Sequence, residues 1–264
     1  MSNFSDYISS GGGASFPTIF LHNSQTWVPP QDGNIMIHVI GAGGSGSGTT
    51  STNLIESGAA GGYCRKNSLA VTTSGSFTVT IGAGGASVLG AAGAGTAGGV
   101  TTMAGTGLSL LRSFGGAGGA LGANTYTTGG VATGGDVNYT GGRGGAQKGG
   151  GAVGLSGTGI DGGGNANSSF GGRCDILGDF YSSSLGQLSG SSGGKGMYIS
   201  TGSAAGESEA GPLAGAGGML VTTSSSVVGH ASTGGGGGWG YGTTTARIHS
   251  GRGGEGCVVI QYIP

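Results

Sequence analysis

The stretch Asn34-Ile35-Met36-Ile37-His38-Val39-Ile40 runs without a break into Gly41-Ala42-Gly43-Gly44-Ser45-Gly46. Its first half is apolar at consecutive positions, as in a strand buried on both faces. Its second half cannot form a side-chain core, because it has almost no side chains. The same succession recurs. Phe77, Val79 and Ile81 alternate with Thr78 and Thr80 and lead into Gly82-Ala83-Gly84-Gly85. That alternation is the cleanest period-two strand signal in the chain. At the far end, Gly251-Arg252-Gly253-Gly254 precedes Cys257 to Ile263, read as a last strand. Further strands are expected at Pro17 to Leu21 and, more weakly, Tyr63 to Val71. Gly99 to Ala104 and Leu108 to Phe114 read as a hairpin around Gly105-Thr106-Gly107. No segment repeats apolar residues at helical spacing over three turns. The expected fold is therefore all-β, with essentially no α-helix.

Composition sharpens the problem. Of 264 residues, 71 are Gly, against an ordinary usage of about 7 %. Such chains are often flexible or disordered. Here, however, hydrophobic residues make up 35 % and charged residues only 7 %, and the apolar residues gather in β-like runs. Collagen is excluded by the irregular glycine spacing and by only 5 Pro. Glycine loses the most backbone freedom on ordering, so a lone glycine run should stay disordered. A bundle of such runs resolves this. Left-handed threefold helices have no internal hydrogen bonds. With glycine they can approach closely and bond N–H to C=O between segments. The reading is a β framework with a polyglycine-II bundle, whose interior is backbone.

Along the chain, residues 1–16 form a distinct head. Phe4, Tyr7 and Ile8 precede Ser9-Ser10-Gly11-Gly12-Gly13. This suits an apolar docking peptide on a flexible spacer; a disordered terminus is the other reading. Residues 17–264 read as one glycine-rich domain. It is strand-rich over 17–114, rich in loops and glycine over 115–256, and closed by a strand at 257–263.

Several function classes find little support. Net charge is −1 and the nine Lys/Arg are scattered, so nucleic-acid binding is not expected. No stretch of 18 apolar residues suggests membrane insertion. The start of the chain lacks the cationic and apolar regions of a secretory signal, so synthesis in a cytosol is expected, with any outside role reached within an assembly. Cys64, Cys174 and Cys257 lack CxxC spacing and read as free thiols, or as one disulfide with a thiol left over. No metal site or cofactor is implied. Gly41-x-Gly43-x-x-Gly46 mimics a dinucleotide fingerprint, but Ser47 to Ala60 is a poor candidate for the helix it requires. Gly194-Lys195-Gly196 lacks the Ser/Thr of a phosphate loop. His22, His38, His230 and His249 are far apart in sequence, and His38 reads as a satisfied core or interface residue. Asp136, Asp161, Asp175, Asp179, Glu207 and Glu209 read as solvated loop acids rather than a glycosidic carboxylate pair.

The aromatic residues of the second half carry more. Tyr126, Tyr139, Phe180, Tyr181, Tyr198, Trp239 and Tyr241 sit mostly among Gly and small polar residues. Tyr and Trp give large contact area for few rotors, with Ser, Gly and Asn adapting around them. These residues are the candidate receptor-binding set. The competing reading has each ring capping the glycine bundle.

Four segments also carry a resemblance. They are Trp27-Val28-Pro29-Pro30 leading into Ile35 to Gly44, then Gly61-Gly62-Tyr63-Cys64-Arg65-Lys66, then Phe77 to Gly85, and last Gly253-Gly254-Glu255-Gly256-Cys257-Val258-Val259-Ile260. Taken in order, they resemble the glycine-rich domain of bacteriophage tail-fibre and receptor-binding tip adhesins. A related domain occurs in some receptor tyrosine kinase ectodomains. The resemblance covers the chain from about Trp27 onward. It implies a β framework joined by its first and last strands, a polyglycine-II bundle, and variable loops that contact the bacterial surface. It carries over no individual binding residue.

The expected function is thus a non-enzymatic adhesin in the virion, at a tail fibre or tail tip. It would recognise a host cell-surface receptor, an outer-membrane protein or a glycan. Phe4, Tyr7 and Ile8 would dock onto another virion protein. The alternatives are a structural virion protein, as a capsid decoration or minor fibre, and a polysaccharide depolymerase.

Overall fold

A computed structural model describes residues 17–49, 56–121, 126–145, 158–159, 161, 235–237, 240–241 and 250–264, with the backbone alone at Gly240 and Tyr241. Among these residues there are strands and turns and no helix. The chain is all-β.

The strands are β1 (Thr18–Leu21), β2 (Gln25–Trp27), β3 (Gly33–Ile40), β4 (Gly48–Thr49), β5 (Tyr63–Val71), β6 (Phe77–Thr80), β7 (Thr101–Gly105), β8 (Leu108–Ser113), β9 (Ala132–Thr133), β10 (Val137–Tyr139), β11 (Gly240–Tyr241) and β12 (Cys257–Ile263). They form one five-stranded sheet in the order β1-β12-β3-β5-β10, a second in the order β2-β6-β7-β8-β9, and a small parallel pair, β4 with β11. Both larger sheets are antiparallel throughout. The last strand lies between β1 and β3, with Val258 opposite both Leu21 and Val39. The expected hairpin is β7–β8. It turns at Gly107, whose φ of 69° lies in the left-handed region that glycine enters without a Cβ penalty.

The side-chain core lies between the two sheets. Ile35, Ile37 and Val39 of β3 project to one face, by the period-two rule. With Ile19, Leu21, Cys64, Val258, Ile260 and Tyr262 they meet Trp27, Phe77, Val79, Met103, Leu108 and Leu111 of the second sheet. Trp27 and Phe77 pack ring against ring, centroids 5.4 Å apart.

Beyond the strand ends the packing changes character. In residues 41–48 the hydrogen-bond partner changes with a period of three. Gly41, Gly44 and Ser47 donate to Gly62, Ala59 and Glu56; Ala42, Ser45 and Gly48 donate to Gly99, Thr96 and Gly93; Gly43 and Gly46 donate to Gly254 and Gly251. These bonds span 2.7 to 3.3 Å. A threefold extended helix points successive N–H groups in three directions, which accounts for this period. The carbonyls of 42–45 accept from three further segments: from Gly85, from Gly116 and Gly119, and from Gly237. Segment 41–48 is therefore encased by other backbone. Segment 56–62 repeats the pattern: Ser57 and Ala60 donate to Gly145 and Gly142, Ala59 and Gly62 to Ala117 and Phe114. The glycine content follows from this geometry. A Cβ on Gly43 would overlap the Gly235 carbonyl, and one on Gly253 would overlap the carbonyl of Gly43 itself.

Each glycine segment continues a strand. Segments 41–48 and 56–62 leave β3 and return to β5. Segments 82–88 and 93–99 leave β6 and return to β7. Segments 114–121 and 126–131 leave β8 and return to β9, and segment 250–256 runs back into β12. The sheets thus stand at one end of the bundle, and Thr49, Glu56, the reversal at 88–93, Leu121 and Tyr126 stand at the other, here called the tip.

Candidate binding surface at the bundle tip

The tip is where the bundle's constraint on side chains is released. Within the bundle the buried side chains beside the glycines are mostly small: Ala42, Ala59, Ala60, Ser45, Ser47 and Ser57 are fully buried, and the larger Glu56, at the end of its segment, is buried with Oε2 accepting from the Ala120 amide. At the reversals larger apolar side chains appear, and they face solvent. Leu89 is 55 %, Leu121 41 % and Tyr126 50 % exposed. Val28, Leu110 and Val131 are comparably exposed but belong to the sheet end.

The base of the tip is cross-linked by hydrogen bonds. Ser47 Oγ donates to the Glu56 carbonyl and accepts from the Glu56 amide, at 2.9 and 3.0 Å. Val88 and Ser250 are joined by two bonds, Val88 N to Ser250 Oγ and Ser250 N to the Val88 carbonyl. Thr127 and Gly144 form an antiparallel bridge, and Thr127 Oγ1 also donates to the Ser57 carbonyl. β4 and β11 add a two-residue ladder in which Tyr241 is opposite Thr49.

One side-chain cluster stands on this base. Asp161 accepts from the backbone N–H and from Nε of Arg143, each at 2.8 Å, and from Nη2 at 2.7 Å. The Arg143 guanidinium lies 4.9 Å from the centre of the Tyr126 ring. Burial alone would raise the Asp161 carboxyl, but the Arg143 hydrogen bonds and charge outweigh it and hold the group below the usual range. The same hydrogen bonds push Arg143 up.

The candidate residues fall into three groups. Tyr126 is at the tip and open to solvent. Tyr139 is in β10 at the sheet end, half-buried, its ring stacked on Tyr63 at 6.1 Å. The backbone of Tyr241 is at the tip, in β11. Phe180, Tyr181, Tyr198 and Trp239, and the docking candidates Phe4, Tyr7 and Ile8, lie outside the described residues. Sequence reasoning missed Leu89, Leu121 and Arg143. The available signal was position, because each sits at or beside a point where a glycine run breaks off.

The other chemistry-bearing residues have structural partners. His38 is buried, and its neutral ring accepts from the Tyr63 hydroxyl at Nδ1 (2.8 Å) and donates from Nε2 to Gln261 Oε1 (3.2 Å). Burial lowers its pKa to about 4, against a smaller raising effect of the Gln261 bond. Cys64 and Cys257 are buried free thiols, both pushed up by burial, Cys257 to about 12. Cys174 lies outside the described residues. Asp136 pairs with Lys66 at 2.8 Å and with the Asn67 amide, and the Lys66 bond holds it below its usual range. Among the described residues no group of His, Cys, Asp and Glu is placed to hold a metal ion. The amides of Gly41, Gly43 and Gly46 donate to Gly62, Gly254 and Gly251. They are therefore not turned toward a phosphate, and among the described residues no helix follows them.

Fold and surface together define a glycine-rich all-β protein that carries reversals on a backbone bundle. Residues 20–263 match the family described as the glycine-rich domain, and the chain belongs to it. No curated protein matches the chain.

Proposed function

We propose that this protein is a bacteriophage tail-fibre or receptor-binding tip adhesin that recognises the host surface through side chains displayed at the bundle tip. The observation that carries the reading is the segregation of roles. Gly41, Gly43, Gly44, Gly58, Gly61 and Gly62 admit no Cβ, whereas Leu89, Leu121 and Tyr126, where the segments end or turn, are exposed. A scaffold held by its own backbone lets tip residues change without repacking a core, which suits recognition of a variable partner. The same reading gives residues 1–16 the role of attaching the protein to another virion component, and it needs no catalytic group. Purified, labelled protein should bind saturably to cells of the bacterium that the parent particle infects, and should block adsorption of that particle. Absence of binding to those cells would turn the reading toward a structural virion protein. Release of reducing ends from host polysaccharide would turn it toward a depolymerase.

A further inference from the structure

Charge is distributed unevenly over the two layers of the molecule. The second sheet is continued by segments 82–88, 93–99, 114–121 and 126–131, which lie side by side: Gly99 donates to Ala83, Gly95 and Gly98 to Gly119 and Gly116, and Ala117 to Thr128. Residues 72–135, which hold β6 to β9, contain a single charged residue, Arg112, where ordinary domains carry about one in four. The ion pairs Lys66–Asp136, Arg143–Asp161 and Arg252–Glu255 have their basic members on β5 and on the segments that adjoin β10 and β12, all of the first sheet. The outer face of the second layer is also uncovered. Thr78 and Thr80 of β6 alternate with buried Phe77 and Val79 and face solvent. Ala83 and Ala86 extend that line, Ala94 and Ala97 lie in the next, and all four are exposed. Segment 93–99 is bonded to 82–88 on one side, to 114–121 on the other and to Ser45 and Gly48 beneath, so Ala94 and Ala97 are left the open side. Leu110, beside the buried Leu111 of β8, adds a larger exposed apolar side chain to this layer.

We infer that this outer face is the docking site for a second copy of the chain. Three properties select that occupant. The first is charge. A face turned to water ordinarily carries charged residues of both signs, and this one offers only Arg112, whose guanidinium is held 4.7 Å from the centre of the Phe114 ring. An acidic or basic partner therefore finds almost nothing to pair with, whereas an equally uncharged face loses nothing on contact. The second is shape. Along a threefold helix the outward methyl groups repeat every third residue, roughly 9.3 Å apart at 3.1 Å per residue. A partner whose side chains fit between those methyls must carry the same period, and a second copy of this face does. The third is size. Residues 77–88 extend over roughly 38 Å at 3.1 to 3.4 Å per residue, and four segments about 4.8 Å apart span roughly 19 Å. The face thus offers roughly 700 Å² per copy, close to the ~800 Å² that each partner buries in a stable interface. Its backbone is already hydrogen-bonded into the bundle and its side chains are short, so little freedom is lost on docking. The inference stands apart from the adhesin reading, because it concerns a side of the molecule and leaves the tip free.

The test is analytical ultracentrifugation of the full chain over a range of protein concentrations. The expected result is a monomer–dimer equilibrium with a dissociation constant in the micromolar range, undiminished by added salt because the face holds almost no charge to screen. Ala86→Glu and Ala94→Glu should each weaken the dimer at least tenfold while keeping the parent's thermal midpoint, since both side chains are exposed. Ala94→Ser, which leaves the face uncharged, should dimerise like the parent. A chain that stays monomeric at about 100 µM, far above a micromolar dissociation constant, would overturn the inference and leave the face to a different partner. So would a dimer that dissolves in salt, which would have formed through charged residues. Dimerisation equally tight in both glutamate variants would place the contact on another surface and overturn it as well. The salt dependence is read on the parent protein, so it decides even where a variant fails to fold.

Discussion

At the scale of single residues, the glycines of the bundle differ from turn glycines in what they do. Gly43 is needed because another backbone occupies the place of its side chain, the Gly235 carbonyl. Rigid backbone on both sides leaves little room to relax, so Gly43→Ala should destabilise the protein by about 3 kcal/mol, at the upper end for overpacking. Ala86 sits in the same kind of segment but faces solvent, and Ala86→Ser should stay within about 0.5 kcal/mol of the parent. Urea unfolding of both variants checks the contrast. His38 supplies a second residue-scale prediction. Its folded pKa, about 4, lies below the 6.5 of an ordinary, solvated imidazole, so between those values the unfolded chain binds the extra proton. Stability should therefore be full above pH 6.5 and decline as pH falls toward 4, with a limit of roughly 3 kcal/mol from this group. The decline between pH 7 and pH 4 should be smaller by that amount in His38→Gln. An unchanged pH dependence in that variant would show that another group is responsible.

At the scale of elements, the long strands were legible because side-chain periodicity reports on a side-chain core. The apolar run at Asn34 to Ile40 lies within β3, the Tyr63–Val71 reading coincides with β5, and Cys257–Ile263 coincides with β12. The hairpin strands were read slightly long, since Gly99 bonds to Ala83 in the bundle and Phe114 bonds to Val131. β2, β4, β9, β10 and β11 have two or three residues each, too few for a period to show. The glycine runs announced a bundle, yet segments such as 56–62 and 126–131 were not recognised as part of it. Their Ala, Ser and Thr interrupt the glycine runs. In the more exposed segments 82–89 and 91–97 a threefold period does appear in the exposure: Ala83, Ala86 and Leu89 face solvent, as do Ala91, Ala94 and Ala97. A threefold helix presents every third side chain outward, so the spacing to read was three. Native-state hydrogen exchange tests these elements directly. The amides of Gly43, Gly44 and Gly46 should exchange about as slowly as those of Ile37 and Val39 in β3, because all are paired to buried backbone. Exchange at the rate of unstructured glycine would refute the lattice.

At the scale of the whole molecule, two kinds of interior meet end to end. Between the sheets, apolar side chains supply burial; in the bundle, backbone hydrogen bonds do, and buried backbone groups must be paired somewhere. The bundle has no side-chain core to repack, so it carries its reversals to the tip without specifying them. The sequence showed aromatics set among Gly and small polar residues in the second half, but it could not show which aromatics share a surface. That depends on which strand each segment continues: Tyr139 is drawn into the sheet beside Tyr63, while Tyr126 is left at a reversal.

The most direct test of this division of labour is adsorption inhibition by the triple variant Leu89→Ser, Leu121→Ser, Tyr126→Ser. Its thermal midpoint should match the parent's, because these side chains lie outside both interiors. The account predicts that it blocks adsorption of the infecting particle at least tenfold less well than the parent protein. Inhibition equal to the parent's, from an equally stable variant, would contradict the claim that the tip carries recognition.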